Sequence, residues 1–432
     1  MDVPDRDAVD HLIDAQPLPS FVRISYEPPT ETVSDPADAA RAELDGLDLD
    51  GLPDGATVAV GVGSRGIHAI DTIVTAVVSA IEARGVEPVL VPAMGSHGGA
   101  TADGQRAVLE SLGITEETAG APIDARMDTE RVRTISVGET TMPVYVSTAA
   151  VEADAVVVIN RVKAHTNFSG RIESGLSKMT VVGLGKQRGA KSFHSTAIAQ
   201  GYVETLRAAL SAINSNAPVV GGIALVENFH EEITHVEGVP AESFIDREPA
   251  LLNRAYEEMP TLPVDDVDLL VVDELGKEIS GAGMDTNVIG RSRVLNTADP
   301  EEPDIDIIYA RGLTEATNGN GNGIGLADIT RKAALDQLDI EKTYANALTS
   351  GSLAKAKLPV VAPDDEFALR TALSALGGCD PETARILWIR NTQDLTEMRV
   401  SQPVVPDLPD AATVLERESV VFTDGTGSFG DP

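Results

Sequence analysis

Two α/β domains with mainly parallel sheets, and an active site in the cleft between them, are the fold class this sequence predicts. At 432 residues the chain is too long for one ordinary domain. Short apolar runs alternate with segments of helical spacing, the order that builds parallel sheets with helices on their faces. Glycine-rich loops follow several of these runs, which is where ligands bind in such sheets.

Residues 1–54 read as an N-terminal arm rich in Pro and Asp, with a short helix at 37–47. The N-terminal α/β domain, 55–262, opens with a buried strand at 56–62, ATVAVGV, and a helix at 67–84 that stops at Gly85. A strand at 86–92 and a helix at 103–112, ended by Gly113, repeat the unit. Further strands are expected at 154–159 and 219–226, with a helix at 197–213 between them. The acidic, Pro-containing segment EEMPTLPVDD at 257–266 marks the domain boundary. The C-terminal α/β domain, 263–432, has strands at 267–272, 305–310 and around 386–389, and glycine-rich loops at 273–285 and 318–323.

Net charge is −35, from 68 acidic against 33 basic residues. Such a field repels nucleic-acid phosphates and anionic membranes, so neither is an expected partner. The acid is spread along the chain, and aromatics make up only 3% of it. This balance resembles proteins of salt-rich cytoplasm, whose dense surface carboxylates keep the fold hydrated while salt screens their repulsion. The single cysteine, Cys379, excludes a disulfide framework and a cysteine-built metal site. The opening MDVPDRDAVD lacks the apolar segment of a secretory signal, and no apolar run approaches the ~18 residues of a membrane span. A cytoplasmic location is the expectation.

Of seven histidines, three lie in two glycine-rich segments: His97 in GSHGGAT (95–101), and His165 and His194 in NRVKAHTNFSGRIESGLSKMTVVGLGKQRGAKSFH (160–194). Scarce ionisable groups on loops after strands read as a site. His97 suits general-base work, with Thr101 capping the helix that follows; the competing reading is an exposed turn histidine. Arg161, Lys163 and His165, just past a strand, suit a carboxylate or phosphate, against a plain basic turn. Lys178 reads either as a lysine of lowered pKa or as a solvated helix residue, and His194 equally as a surface position. Gly63, Ser64 and Arg65 offer backbone N–H groups and a guanidinium to an anion. Residues 61–66 are also GxGxxG, but the next strand ends without an acidic residue, which disfavours an NAD-type dehydrogenase. Asp273, Glu274 and Lys277 form either a surface ion pair or a substrate contact. The residues thus support two functions: proton transfer on a small anion, or a non-catalytic binding or carrier protein for a phosphorylated metabolite or nucleotide cofactor.

GSHGGAT, NRVKAHTNFSGRIESGLSKM, GLGKQRGAKSFH and DELGKEISGAGMD resemble the nickel-dependent lactate racemase family. The resemblance implies an isomerase, a racemase or epimerase of a 2-hydroxy acid, with cofactor-biosynthesis proteins as partners. It implies a nickel-pincer nucleotide (nickel with pyridinium-3,5-bisthiocarboxylic acid mononucleotide) tethered to Lys178. It further implies nickel on His194, sixteen residues beyond the lysine (194 − 178 = 16), and His97 and His165 as the two catalytic bases. Arg65, Ser64 and Lys163 are then expected near the cofactor, and Lys277 near the substrate. Val62 stands where the lactate enzymes carry an acidic residue, and the stretch from His165 to Lys178 is longer than theirs. Both departures imply a homologue outside the strict lactate racemases.

Overall fold

The computed structural model describes residues 6–13, 17–64, 66–295, 298–377, 380 and 382–431. The protein is a mixed α/β protein with large, mainly parallel sheets, and the chain divides into two compact units. The N-terminal unit holds Thr30–His165 and Ser169–Met259; the C-terminal unit holds Met1–Pro29, Thr166–Phe168 and Pro260–Pro432.

The N-terminal unit is built on a five-stranded sheet in the order Glu87–Pro92, Thr57–Val62, Ala155–Arg161, Val219–Glu227, Ile233–Pro240. The first four strands are parallel and the last is antiparallel. Both faces are covered, and the alternation of side chains sorts them. Val58, Val60, Val62, Val157 and Ile159 enter one core, whereas Ala59, Val156 and Val158 enter the other. Helix Ile70–Glu82 buries Ile70, Ile73, Val74, Val77, Val78 and Ile81 against the first. This is helical spacing, and each such side chain contributes about 1.5–3 kcal/mol by leaving water. Helix Tyr202–Asn214 supplies Leu206, Leu210 and Ile213 to the second.

The segment after the third strand differs from its sequence reading. Much of what reads as a glycine-rich polar run is helical: Leu176–Lys178, a π-helical turn Met179–Gly183, then Lys186–Gln200, which continues after Gly201 as a separate helix. The expected helix at 197–213 is therefore two helices. The glycines serve close packing here. A Cβ on Gly183 would stand 2.6 Å from the Ala93 carbonyl oxygen, and one on Gly185 2.5 Å from that of Val181. A hairpin absent from the sequence reading, Thr129–Val137 with Thr140–Ser147, lies against this helix, where Ser192 Oγ donates to the Pro143 carbonyl at 2.7 Å.

The C-terminal unit contains a nine-stranded sheet. Its order is Val360–Ala362, Ile329–Arg331, Asp304–Ala310, Asp266–Val272, Ile386–Ile389, Glu397–Ser401, Phe21–Tyr26, Ala412–Thr423, Thr426–Gly430. The first five strands are mutually parallel; the remaining four extend the sheet antiparallel. Phe21–Tyr26, read from sequence as part of an arm, is thus an interior strand. Its buried Phe21, Val22, Ile24 and Tyr26 explain why it is drawn in.

Candidate functional site

The carboxyl ends of the parallel strands in the N-terminal unit carry most of the residues singled out from sequence. Val62 is in register with Pro92 on one side and Ile159 on the other, so the loops that follow leave the same edge of the sheet. This is the edge where ligands sit in parallel sheets.

His97 stands exposed on the turn after Glu87–Pro92. Gly95, Gly98 and Gly99 take positive φ there, and a Cβ on Gly98 would collide with the Gly104 and Gln105 backbone at 2.5–2.6 Å. Thr101 caps the next helix by accepting from the Gly104 N–H at 3.1 Å. Ser64 hydrogen-bonds through Oγ to His97 Nδ1. Beneath the turn lies a buried polar pair. Gln105 donates to the carbonyls of Gly95 and His97 at 3.0 and 3.3 Å, and its Oε1 accepts from Lys186 Nζ at 2.9 Å. Lys186 also donates to the Pro92 carbonyl at 2.7 Å, and burial pushes its pKa down to about 8. It holds a left-handed backbone (φ 51°), which costs on the order of 1–3 kcal/mol in a non-glycine residue and is sustained by these buried bonds.

His165 is half-buried on the turn after Ala155–Arg161. Its backbone N–H donates to Glu173 Oε2 at 2.6 Å, while Glu173 Oε1 accepts from the Gly170 N–H at 2.8 Å and the Tyr256 hydroxyl at 2.9 Å. Burial raises the Glu173 pKa, against these bonds and the Lys178 charge. Lys163 lies in the same loop, half-buried, its backbone paired with Ser174. Arg161, read from sequence as part of a cation cluster, is ion-paired with buried Glu227, which also accepts from the His68 N–H at 2.7 Å.

Lys178 ends the short helix Leu176–Lys178 and is half-buried. Glu248, buried behind it, accepts the Ser177 N–H at 2.9 Å, and burial lifts its pKa to about 7. A Cβ on Gly175 would come within 2.3 Å of Glu248 Oε1, so a larger residue there would have to displace this buried carboxyl. His194 projects from Lys186–Gln200, its ring edge-on to Phe193 and Tyr202. Its pKa is lowered to about 4, first by desolvation and then by the Lys178 ammonium, although the residue as a whole is exposed. It is therefore a neutral imidazole at neutral pH, the form that ligates metals.

Among the described residues no group of three or more His, Cys, Asp or Glu stands together to hold a metal. A metal in this unit would take its other donors from a bound group. A neutral, accessible imidazole within electrostatic reach of a lysine amine fits the tethered cofactor that the sequence resemblance implies.

Lys277 lies in the C-terminal unit, where its backbone N–H donates to Thr317 Oγ at 3.2 Å and its amine to the Gly281 carbonyl. Buried Lys355 donates to Asn167 Oδ1 at 2.5 Å and to the Thr166 carbonyl at 3.3 Å; burial and then the Lys277 charge bring its pKa to about 8. Asp273 pairs with Arg311 and Trp388, and Glu274 with Arg390 and Asn391, so both work within their own unit. Arg65 lies outside the described residues. Sequence reasoning did not single out Gln105, Glu173, Glu248 or Lys355, and gave Lys186 no role of its own.

A domain of unknown function, DUF362, matches residues 64–246, the stretch that spans both histidine turns, Lys178 and His194. The lactate racemase apoprotein of Thermoanaerobacterium thermosaccharolyticum superposes with a TM-score of 0.51 at 13% identity, over 85% of this chain and 99% of that one. The fold is lactate-racemase-like. A Thermotoga maritima protein also aligns, with a TM-score of 0.47 at 15% identity over 66% of this chain and 71% of its own. No curated protein sequence matches the chain. No described helix is long and apolar enough to cross a membrane.

Proposed function

We propose that this protein is an isomerase, a racemase or epimerase of a 2-hydroxy acid, that works with a nickel-pincer nucleotide tethered to Lys178 and ligated by His194. The observation that carries the reading is the gathering of Ser64, His97, His165, Lys178 and His194 in one unit, on the loops and helices that follow its parallel strands. The lactate-racemase-like fold supports it.

Held by Lys178 and His194, such a group would supply a reversible acceptor for the C2 hydride of the substrate. The chain supplies the rest. His97 and His165 each hold and return the hydroxyl proton at an imidazole nitrogen, one for each enantiomeric arrangement. Between the two transfers the substrate is the 2-keto acid. Val62, in place of an acidic residue at the first strand end, favours a substrate other than lactate.

The test is intact mass of protein co-expressed with cofactor-biosynthesis proteins, followed by chiral chromatography of 2-hydroxy acids and aldonates in high salt. A mass adduct lost in Lys178→Ala, with interconversion of one acid, is expected. Unmodified mass with no bound nickel would remove the reading. An adduct or bound nucleotide with no interconversion of any acid would favour a carrier or binding protein instead.

A further inference from the structure

We propose that Ser64 is the positioning residue for His97, accepting the Nδ1–H of the ring so that Nε2 is the basic nitrogen. The base role of His97 and the direction of this bond both rest on the function proposed above: a ring that takes the substrate proton at Nε2 carries its own proton on Nδ1, where the Ser64 hydroxyl meets it. Three features place the hydroxyl opposite the ring. Ser64 is two residues beyond the end of Thr57–Val62, and His97 five beyond its parallel neighbour Glu87–Pro92. The two strand ends are joined where the Ala93 N–H donates to the Val62 carbonyl at 2.7 Å. Gly63 lets the loop pass close by, since a Cβ there would lie 2.7 Å from Met179 Cε and 3.3 Å from Asn160 Oδ1.

The backbone that carries the ring is held from the other side. Gly95 donates to the Gly183 carbonyl at 3.1 Å, and the Gln105 amide holds the Gly95 and His97 carbonyls. Backbone and hydroxyl together fix which ring nitrogen faces Ser64, and the Oγ contact is to Nδ1. A neutral imidazole has one N–H and one lone pair, so a proton on Nδ1 leaves the lone pair on Nε2. Free histidine in water favours the opposite tautomer, so an Nδ1–H ring here would be set by the site. A serine hydroxyl can accept this N–H without adding charge, where a carboxylate, which can only accept, does so in other enzymes. Sequence reading put Ser64 in an anion loop; the structure gives its hydroxyl to the histidine.

Nitrogen-15 histidine spectra of the cofactor-free protein test this, with the His97 signals assigned by their loss in His97→Gln. Wild type should show the Nδ1–H tautomer as the major neutral form. Ser64→Ala should revert to mostly Nε2–H, and Ser64→Thr, which keeps the hydroxyl, should restore Nδ1–H. Circular dichroism checks that each variant is folded. In loaded enzyme Ser64→Ala should lower kcat roughly tenfold with KM little changed, a fraction of what a well-placed base supplies. A wild-type ring that is mostly Nε2–H, or a tautomer ratio unmoved by Ser64→Ala, overturns the proposal. Absence of racemase activity leaves the spectra readable, so the two readings fail separately.

Discussion

The turn of His97 and the turn of His165 leave the same edge of one sheet, yet they are held in opposite ways. Under His97 the support is a buried amine and an amide: Lys186 and Gln105 donate upward to the carbonyls of Pro92, Gly95 and His97. Under His165 it is a buried carboxyl, Glu173, which accepts from the N–H groups of His165 and Gly170 and from Tyr256. One turn therefore presents its carbonyls inward and the other its N–H groups. A buried group of the wrong kind would leave either set unsatisfied, at about 1–3 kcal/mol per group. Two turns to which the proposed function gives the same task are thus fixed by independent supports and should fail independently.

The largest effect expected concerns the histidines themselves. His97→Ala and His165→Ala should each slow interconversion of the substrate by about 10²–10⁴, the usual contribution of a positioned acid or base. Chiral chromatography of loaded enzyme reads this directly. Near wild-type rates in both variants would end the two-base scheme, and loss in only one would make the turns unequal in function as they are in support.

Next comes Glu173→Ala, which removes one acceptor from three donors and should cost about 3–5 kcal/mol. Hydrogen exchange localises it: the amides of His165 and Gly170 should lose protection while those of the His97 turn keep theirs. Equal loss at both turns would show that the supports are coupled after all.

Lys186 gives a pH signature to the His97 side. Its folded pKa, about 8, lies below that of an unfolded lysine, so the unfolded state binds more protons between about pH 8 and 10. Stability owed to this group is therefore lowest below pH 8 and rises as pH climbs through that window, by something on the order of 3 kcal/mol. Lys355 contributes with the same sign in the C-terminal unit, so the comparison must be with Lys186→Met. The stability of wild type relative to that variant, followed by circular dichroism, should increase from pH 8 to 10. A flat difference would mean that the amine is not held as described.

Much of this fold was legible because parallel strands buried on both faces are near-continuous apolar runs, as in VAVGV and AVVVI. Phe21–Tyr26 was obscured because six alternating residues sit in Pro- and Asp-rich surroundings and pair with strands almost 400 residues away in sequence. The histidines and Lys178 were visible as rare ionisable groups on glycine-rich segments. Their supports were not. Lys186 meets Gln105 across 81 residues and Glu173 meets Tyr256 across 83, so each reads alone as an ordinary polar residue. Only burial in the folded chain turns such residues into partners.

The smallest effect separates how the two segments enter their helices. After His97, Thr101 caps Ala102–Ser111 with its own side chain. Beyond His165, Gly175 precedes Leu176–Lys178 without a side-chain cap, and the remote carboxyl of Glu248 takes the Ser177 N–H instead. Thr101→Ala should therefore cost about 1 kcal/mol, and Thr101→Ser much less, because a hydroxyl at that position is what satisfies the Gly104 N–H. The loss should be local, seen as faster amide exchange at Gly104 with Ser177 unaffected. If Thr101→Ala instead loosens Gly98 and Gly99 and shifts the His97 ring signals, the cap helps to hold the His97 turn as well as the helix. The Gly98 carbonyl, which accepts from Thr101 Oγ at 3.2 Å, is the bond through which that would happen.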